Sequence, residues 1–183
     1  MTDAPVEKLL LSGKPPATPE QVFAIMDQLN INHSTITHKP MRTVEDSIAL
    51  RDGVPGGYSK NLFLRNRKGR MVLVTLLEHR MVNLKALGRQ LDMGKPSFAS
   101  PQRLMHYLGV IPGAVTPLAV INDETTAVTV VLDKTLLEKN PLHFHPCDNT
   151  MTTTIEAADL LRYIEALHGS PTIIDFDQIE IIG

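Results

Sequence analysis

The stretch from Lys60 to Leu77 constrains the fold more than any other part of the chain. Two apolar runs, Lys60–Arg65 and Arg70–Leu77, flank the polar turn Asn66-Arg67-Lys68-Gly69. Apolar runs of strand length around a Gly-containing turn predict a β-hairpin. Upstream, the β-branched segment Ser34–His38 reads as a strand ended by Lys39-Pro40. Downstream, Leu118–Ile121 and Ala127–Leu132 read as a second hairpin around Asn122-Asp123-Glu124, and Ile173, Ile174 and Phe176 as a last strand.

Helices are expected between these strands. Thr18-Pro19-Glu20-Gln21 has the N-cap, first-position proline and Gln of a capping box, and Val22, Ile25, Met26 and Leu29 follow on one helical face. Thr43 is expected to cap a helix to about Leu50, Asn83 a short one near Leu84–Leu87, and Ser100-Pro101 one that Gly109 closes. A short helix is expected near Lys134–Glu138. Thr154 is expected to cap a long last helix whose stripe is Ile155, Ala158, Leu161, Ile164 and Leu167. Paired strands with helices between the pairs give a mixed, largely antiparallel α/β fold rather than repeated βαβ units. Its length of 183 residues suits one domain over 18–183, with residues 1–17 as a leader.

Aromatic residues are only 4% of the chain and Trp is absent, so the core must be aliphatic. The net charge of −2 argues against a protein that grips long duplexes, and DNA is not an expected partner. A protein that touches one end of an RNA is compatible with it. The single cysteine, Cys147, allows no internal disulfide, which fits a cytoplasmic setting. No apolar run approaches the ~20 residues needed to span a bilayer.

Generic catalytic signatures are missing: no phosphate-binding Walker loop, GxGxxG, HExxH or GxSxG occurs. Three smaller constellations remain. Gly56-Gly57 leads into Tyr58-Ser59-Lys60-Asn61, which offers a point charge and a side chain that both donates and accepts. Side chains alternate along a strand, so Lys60 and Asn61 are expected on opposite faces unless the strand start is irregular. His143 and His145 share a face if their segment is a strand. They can bind a metal, with Cys147 or Asp148 as further ligands, handle protons, or be ordinary hydrogen-bonded residues before a turn. Gly109 to Pro117 is a glycine-containing loop that lets a ligand approach the backbone, or a plain connector. Nothing beside Cys147 specifies a thiolate-stabilising site. Arg65, Arg67, Lys68 and Arg70 form either a solvated turn or an RNA backbone contact.

In order, the chain carries Lys39-Pro40, Pro55-Gly56-Gly57-x-x-Lys60-Asn61-Leu62-Phe63-Leu64, Ser97-Phe98 and Leu108-Gly109-Val110-x-Pro112-Gly113-x-Val115-Thr116. Then come Ile121-Asn122-Asp123, Val131-Leu132-Asp133, Phe144-His145-Pro146-x-x-Asn149 and Thr152-Thr153. From about Thr18 to Gly183 this order and spacing resembles the YbaK/ProX family, and within it the freestanding proteins related to the editing domain of bacterial prolyl-tRNA synthetase. The resemblance implies a curled, largely antiparallel or mixed sheet flanked by helices. It implies hydrolysis of the ester between a wrong amino acid and the 3′ end of tRNA, with no cofactor and no metal. Alanine on proline tRNA is the expected target; cysteine on proline tRNA, or a non-catalytic module that binds the tRNA end or a nucleotide, are the alternatives. Mischarged tRNA is the expected partner, with prolyl-tRNA synthetase a candidate protein partner. Carried over residue by residue, the catalytic set is Lys60, Asn61 and His145, and the glycine-rich loop is Gly109, Pro112, Gly113, Ala114, Val115 and Thr116. Ile36 and Ile48 are candidate linings of the amino-acid pocket.

Overall fold

The computed structural model describes residues 8–41, 48 and 53–179. An eight-stranded mixed sheet forms its centre, in the order β1 (Ser34–Thr37), β7 (Met151–Ile155), β6 (Leu142–Phe144), β2 (Gly57–Arg65), β3 (Met71–Leu77), β5 (Val128–Asp133) and β8 (Thr172–Ile174), with β4 (Ser97–Phe98) paired to β2. The anticipated first hairpin is β2–β3, antiparallel, with Arg65 opposite Met71. Its second strand is buried along its whole length. Val72, Val74 and Leu76 pack with Leu87 of α2 (Leu84–Gln90), whereas Met71 and Leu73 pack with Leu104 and Leu108 of α3 (Pro101–Leu108). A strand covered on both faces must be central, and alternation along it separates two parts of the core. A third part gathers Val22 and Met26 of α1 (Pro19–Gln28) with Leu142, Phe144 and Ile155 of the sheet and Leu160, Tyr163 and Ile164 of α5 (Ala157–His168).

Local chemistry sets most helix ends as anticipated. Thr18 and Gln21 form a reciprocal capping box, Asn83 caps α2, and Ser100 caps α3, which ends at Gly109 in the left-handed conformation. A short α4 (Lys134–Leu137) begins at Asp133. The helix anticipated from Thr43 to Leu50 lies almost wholly outside the described residues.

Two expectations are corrected. The second hairpin does not exist. Residues Pro117–Asn122 form a 3-10 helix capped by Thr116, and β5 runs parallel to both β3 and β8. A short continuous apolar run cannot be told from a buried helical segment by periodicity, and Pro117, which lacks an N–H, suits the first helical position. Nor does Thr154 cap the last helix: it belongs to β7, which pairs with β1 and β6. The helix starts two residues later, after Glu156, whose side chain makes no cap; Asn140 Oδ1 instead accepts the Ala157 N–H at 3.1 Å. Its buried stripe is therefore Ala157, Leu160, Tyr163 and Ile164, and Ala158 faces out.

Residues 8–17 are docked. Leu10 is buried, Leu11 N–H reaches His106 O at 2.8 Å, and Ala17 N–H reaches Asn122 Oδ1 at 2.8 Å. The Ile121-Asn122-Asp123 motif is structural: Asn122 also donates to Leu108 O, while Asp123 accepts from Ala127 N, Val128 N and, at 2.8 Å, His168 Nε2. Among the described residues no helix is long and apolar enough to cross a membrane.

Candidate functional site

Strands β1, β2, β6 and β7 and the loops that leave them line a cleft of about 230 Å³. Cross-strand register explains its floor. Tyr58 of β2 lies opposite His143 of β6, which lies opposite Thr154 of β7; one step along, Thr152 of β7 lies opposite Ile36 of β1. Residues in register on adjacent strands share a face, so one row of side chains crosses four strands.

His143 anchors this row. Its ring stacks on Tyr58, with centroids 4.6 Å apart, and both nitrogens are engaged: Nε2 with Pro55 O and Nδ1 with Thr154 Oγ1, each at 3.0 Å. A carbonyl only accepts, so Nε2 carries the proton and Nδ1 accepts from the Thr154 hydroxyl. His143 is thereby used up by the protein. Gly56 makes the fit possible. Its φ is +134°, and a Cβ there would lie 2.5 Å from both His143 Nε2 and Pro141 O. We expect Gly56→Ala to cost about 2–4 kcal/mol in chemical denaturation, from strain and overpacking combined; a loss under about 1 kcal/mol would show that the loop yields freely.

His145 is placed differently. It follows β6 directly, and the chain turns at Asp148, whose carboxylate accepts the Thr150 N–H and hydroxyl at 2.8 and 2.7 Å. Those two bonds hold Asp148 below the usual carboxylate range. The turn brings His145 Nδ1 to Met151 O at 2.7 Å, so Nδ1–H donates and Nε2 keeps its lone pair. Burial pushes the His145 pKa down, and nearby His38 adds to this against the opposing Met151 bond. The neutral form is favoured, with Nε2 meeting no protein partner among the described residues.

The other anticipated residues divide. Ile36, Asn61, Val115 and His145 line the cleft. Asn61 acts as a latch: its amide donates to Val115 O at 2.9 Å and more weakly to Ser59 Oγ, while its oxygen accepts from Thr75 at 2.7 Å. It thus ties the 109–116 loop to β2. Lys60 is not among the lining residues. It points to the other side, as alternation predicts, and its ammonium donates to Arg80 O. Burial lowers its pKa while Glu78, which does line the cleft, raises it. Gly109, Pro112, Gly113, Ala114 and Thr116 do not line the cleft, and neither does Ile48. Ala114 and Thr116 are buried, and Gly109 needs its bare backbone because a Cβ would meet Asn122 Nδ2 at 2.7 Å. Gly113 stands nearer the mouth, where a Cβ would sit 3.9 Å from Met41 O.

Cys147 packs in the apolar core, and burial pushes its thiol up to about 12, which removes it as a nucleophile. Among the described residues no three His, Cys, Asp or Glu side chains converge to hold a metal ion. Met41, Val54, Glu78 and Thr154 also line the cleft, and none of them belongs to a motif singled out in the sequence. For Thr154 a signal existed: Thr152 and Thr154 stand two apart in a β-branched run and must share a strand face.

The chain as a whole is similar to known proteins. Residues 38–163 match the model of the aminoacyl-tRNA editing domain. The chain is 38% identical over 148 residues to the prolyl-tRNA editing protein ProX of Acetoanaerobium sticklandii, covering 80% of this chain and 90% of that protein. It is 36% identical to the prolyl-tRNA synthetase associated domain-containing protein 1 of Danio rerio, over 86% of this chain and 87% of that one. A crystal structure described as a candidate trans-editing enzyme for prolyl tRNA synthetase shares the fold, with a TM-score of 0.67 at 18% identity, over 86% of this chain and 94% of the other.

Proposed function

We propose the following reaction for this chain, which belongs to the aminoacyl-tRNA editing domain family: it is a deacylase that hydrolyses the ester of mischarged prolyl-tRNA in trans, with Ala-tRNA(Pro) as substrate. The observation that carries the reading is His145, a neutral imidazole whose unshared nitrogen stands in a cleft of amino-acid size. An aminoacyl ester is already activated, so holding a water at its carbonyl and stabilising the developing oxyanion are sufficient. His145 Nε2 accepts a hydrogen bond from that water or from a ribose hydroxyl of the terminal adenosine. Of the Gly109–Thr116 loop, Val115 lines the cleft, and the Asn61 latch holds its backbone beside the carbonyl. Lys60, which points away from the cleft and donates to Arg80 O, supports the site from behind rather than touching the amino acid. Apolar walls from Ile36, Met41, Val54 and Val115 admit a methyl side chain. A pocket separates side chains that differ by one methylene by only ~1–3 kcal/mol, which is why a synthetase for a small apolar substrate needs a second sieve. Such a sieve works in the cytoplasm alongside prolyl-tRNA synthetase.

The test is deacylation of Ala-tRNA(Pro), Cys-tRNA(Pro) and Pro-tRNA(Pro) by the purified protein. Release of alanine at least about 100-fold faster than proline is the expected result, since size exclusion works fully against the larger ring. Faster release of cysteine would move the assignment to that substrate. No release from folded protein would leave a module that binds the tRNA end without turnover.

A further inference from the structure

The hydrogen-bond polarity of the cleft identifies a second recognition element, and this inference deepens the reading above and rests on it. Two threonines of β7, Thr152 and Thr154, line the cleft side by side on one strand face. Each hydroxyl is paired to a histidine whose tautomer is fixed from its far side by a main-chain carbonyl. His38 Nδ1 lies 2.8 Å from Lys39 O and must donate to it, so in the neutral ring Nε2 accepts the Thr152 hydroxyl proton at 2.8 Å. His143 Nε2 likewise donates to Pro55 O, so Nδ1 accepts the Thr154 hydroxyl proton at 3.0 Å. With both rings neutral, both threonines have spent their only donor. What each can offer a ligand in the cleft is a lone pair.

The charge of the lining agrees. Among the described lining residues there is no Lys or Arg, and the one formally charged side chain is Glu78. A cavity with two forced acceptors and a carboxylate suits a cation with several hydrogens to donate. An aminoacyl ester has one such group, its α-ammonium. We propose that Thr152 and Thr154 form an acceptor pair that receives the α-ammonium group of the bound amino acid. Their two histidines are positioning residues that aim the lone pairs. The site thereby recognises a free amino terminus, and an N-acylated ester, uncharged and left with a single N–H for two acceptors, is refused. A nascent peptide on tRNA falls in the refused class.

The experiment uses a non-hydrolysable probe, 3′-(L-alanylamino)-3′-deoxyadenosine, and its N-acetyl derivative, with binding followed by calorimetry. Hydrogen bonds to a charged group are strong enough that wild-type protein should bind the free amine at least about 10-fold more tightly. The double variant Thr152→Val, Thr154→Val should lose that preference, and Thr152→Ser, Thr154→Ser should keep it. Equal binding of the two probes by wild-type protein, absence of binding to both, or a preference that survives in a folded valine variant overturns the proposal. If the valine variant does not fold, the wild-type comparison still decides. Tight binding of the free amine with no hydrolysis of Ala-tRNA(Pro) would sink the deacylase reading and keep the ammonium site; brisk hydrolysis with equal binding of both probes would do the reverse.

Discussion

Replacing His145 with Ala is expected to lower kcat/KM for aminoacyl-tRNA hydrolysis by about 100-fold or more, the lower end of what a positioned proton acceptor contributes. The effect should be chemical rather than structural, because the ring is only half-buried and its one described bond is to the Met151 carbonyl. The pH profile gives an independent check. Burial holds His145 below the ordinary histidine pKa of about 6.5, so the wild-type rate should be flat through neutrality and fall only at lower pH. Below that value Nε2 gains a proton, becomes a donor, and can no longer accept from water or a ribose hydroxyl. The acidic limb should vanish in His145→Ala. Activity within roughly threefold of wild type, with the limb intact, would remove His145 from the reaction.

Loss of Asp133 should produce the largest change in stability. Its side chain is fully buried at the start of α4, where Oδ2 accepts from Arg80 Nε at 2.9 Å and Leu77 N at 3.2 Å, and Oδ1 accepts from Thr135 N at 3.0 Å. Arg80 is itself 11% exposed, and its other carboxylate, Asp177, is 65% exposed. Asp133→Ala therefore strands a nearly buried guanidinium and a buried backbone donor, at a cost of about 3–5 kcal/mol. Urea denaturation with the slope compared to wild type measures it. By contrast the exposed Lys14–Glu124 pair should contribute less than about 1 kcal/mol. A loss of that small size at Asp133 would mean that the surroundings re-pair Arg80 at once.

The parts of the fold that could be read from the chain were those dictated by neighbours in sequence. Thr18 and Gln21, Ser100 and Gly109, and the Asn66–Gly69 turn each act over a few residues, and each appears where the sequence places it. What failed depended on distant partners. Whether Leu118–Ile121 coils or extends is decided by burial against α3 and α5, including the Tyr163 hydroxyl on Leu118 O. Whether Thr154 starts a helix or ends a strand is decided by β1 and β6 on either side of it. The cap of α5 comes from Asn140, which local pattern cannot supply. The site divides in the same way. His145 was legible from its motif, but the roles of Asn61 and His143 are fixed by Val115 and Pro55, more than fifty residues away in sequence. Thr152 and Thr154 became informative only once their histidines were known to be pinned by carbonyls.

The acceptor-rich lining of the cleft also bears on turnover. Cleaving the ester turns a neutral acyl group into a carboxylate, so the product carries a negative charge that the substrate did not. The described lining offers it Glu78, the lone pairs of His145, Thr152 and Thr154, and no fixed cation. In the proposed reaction the chemical step thus weakens the grip on its own product. A free amino acid already bears that carboxylate, so in the proposed reaction the same repulsion disfavours its binding in the cleft. For a deacylase of the kind proposed, a lining of this polarity favours release of the amino acid over its retention.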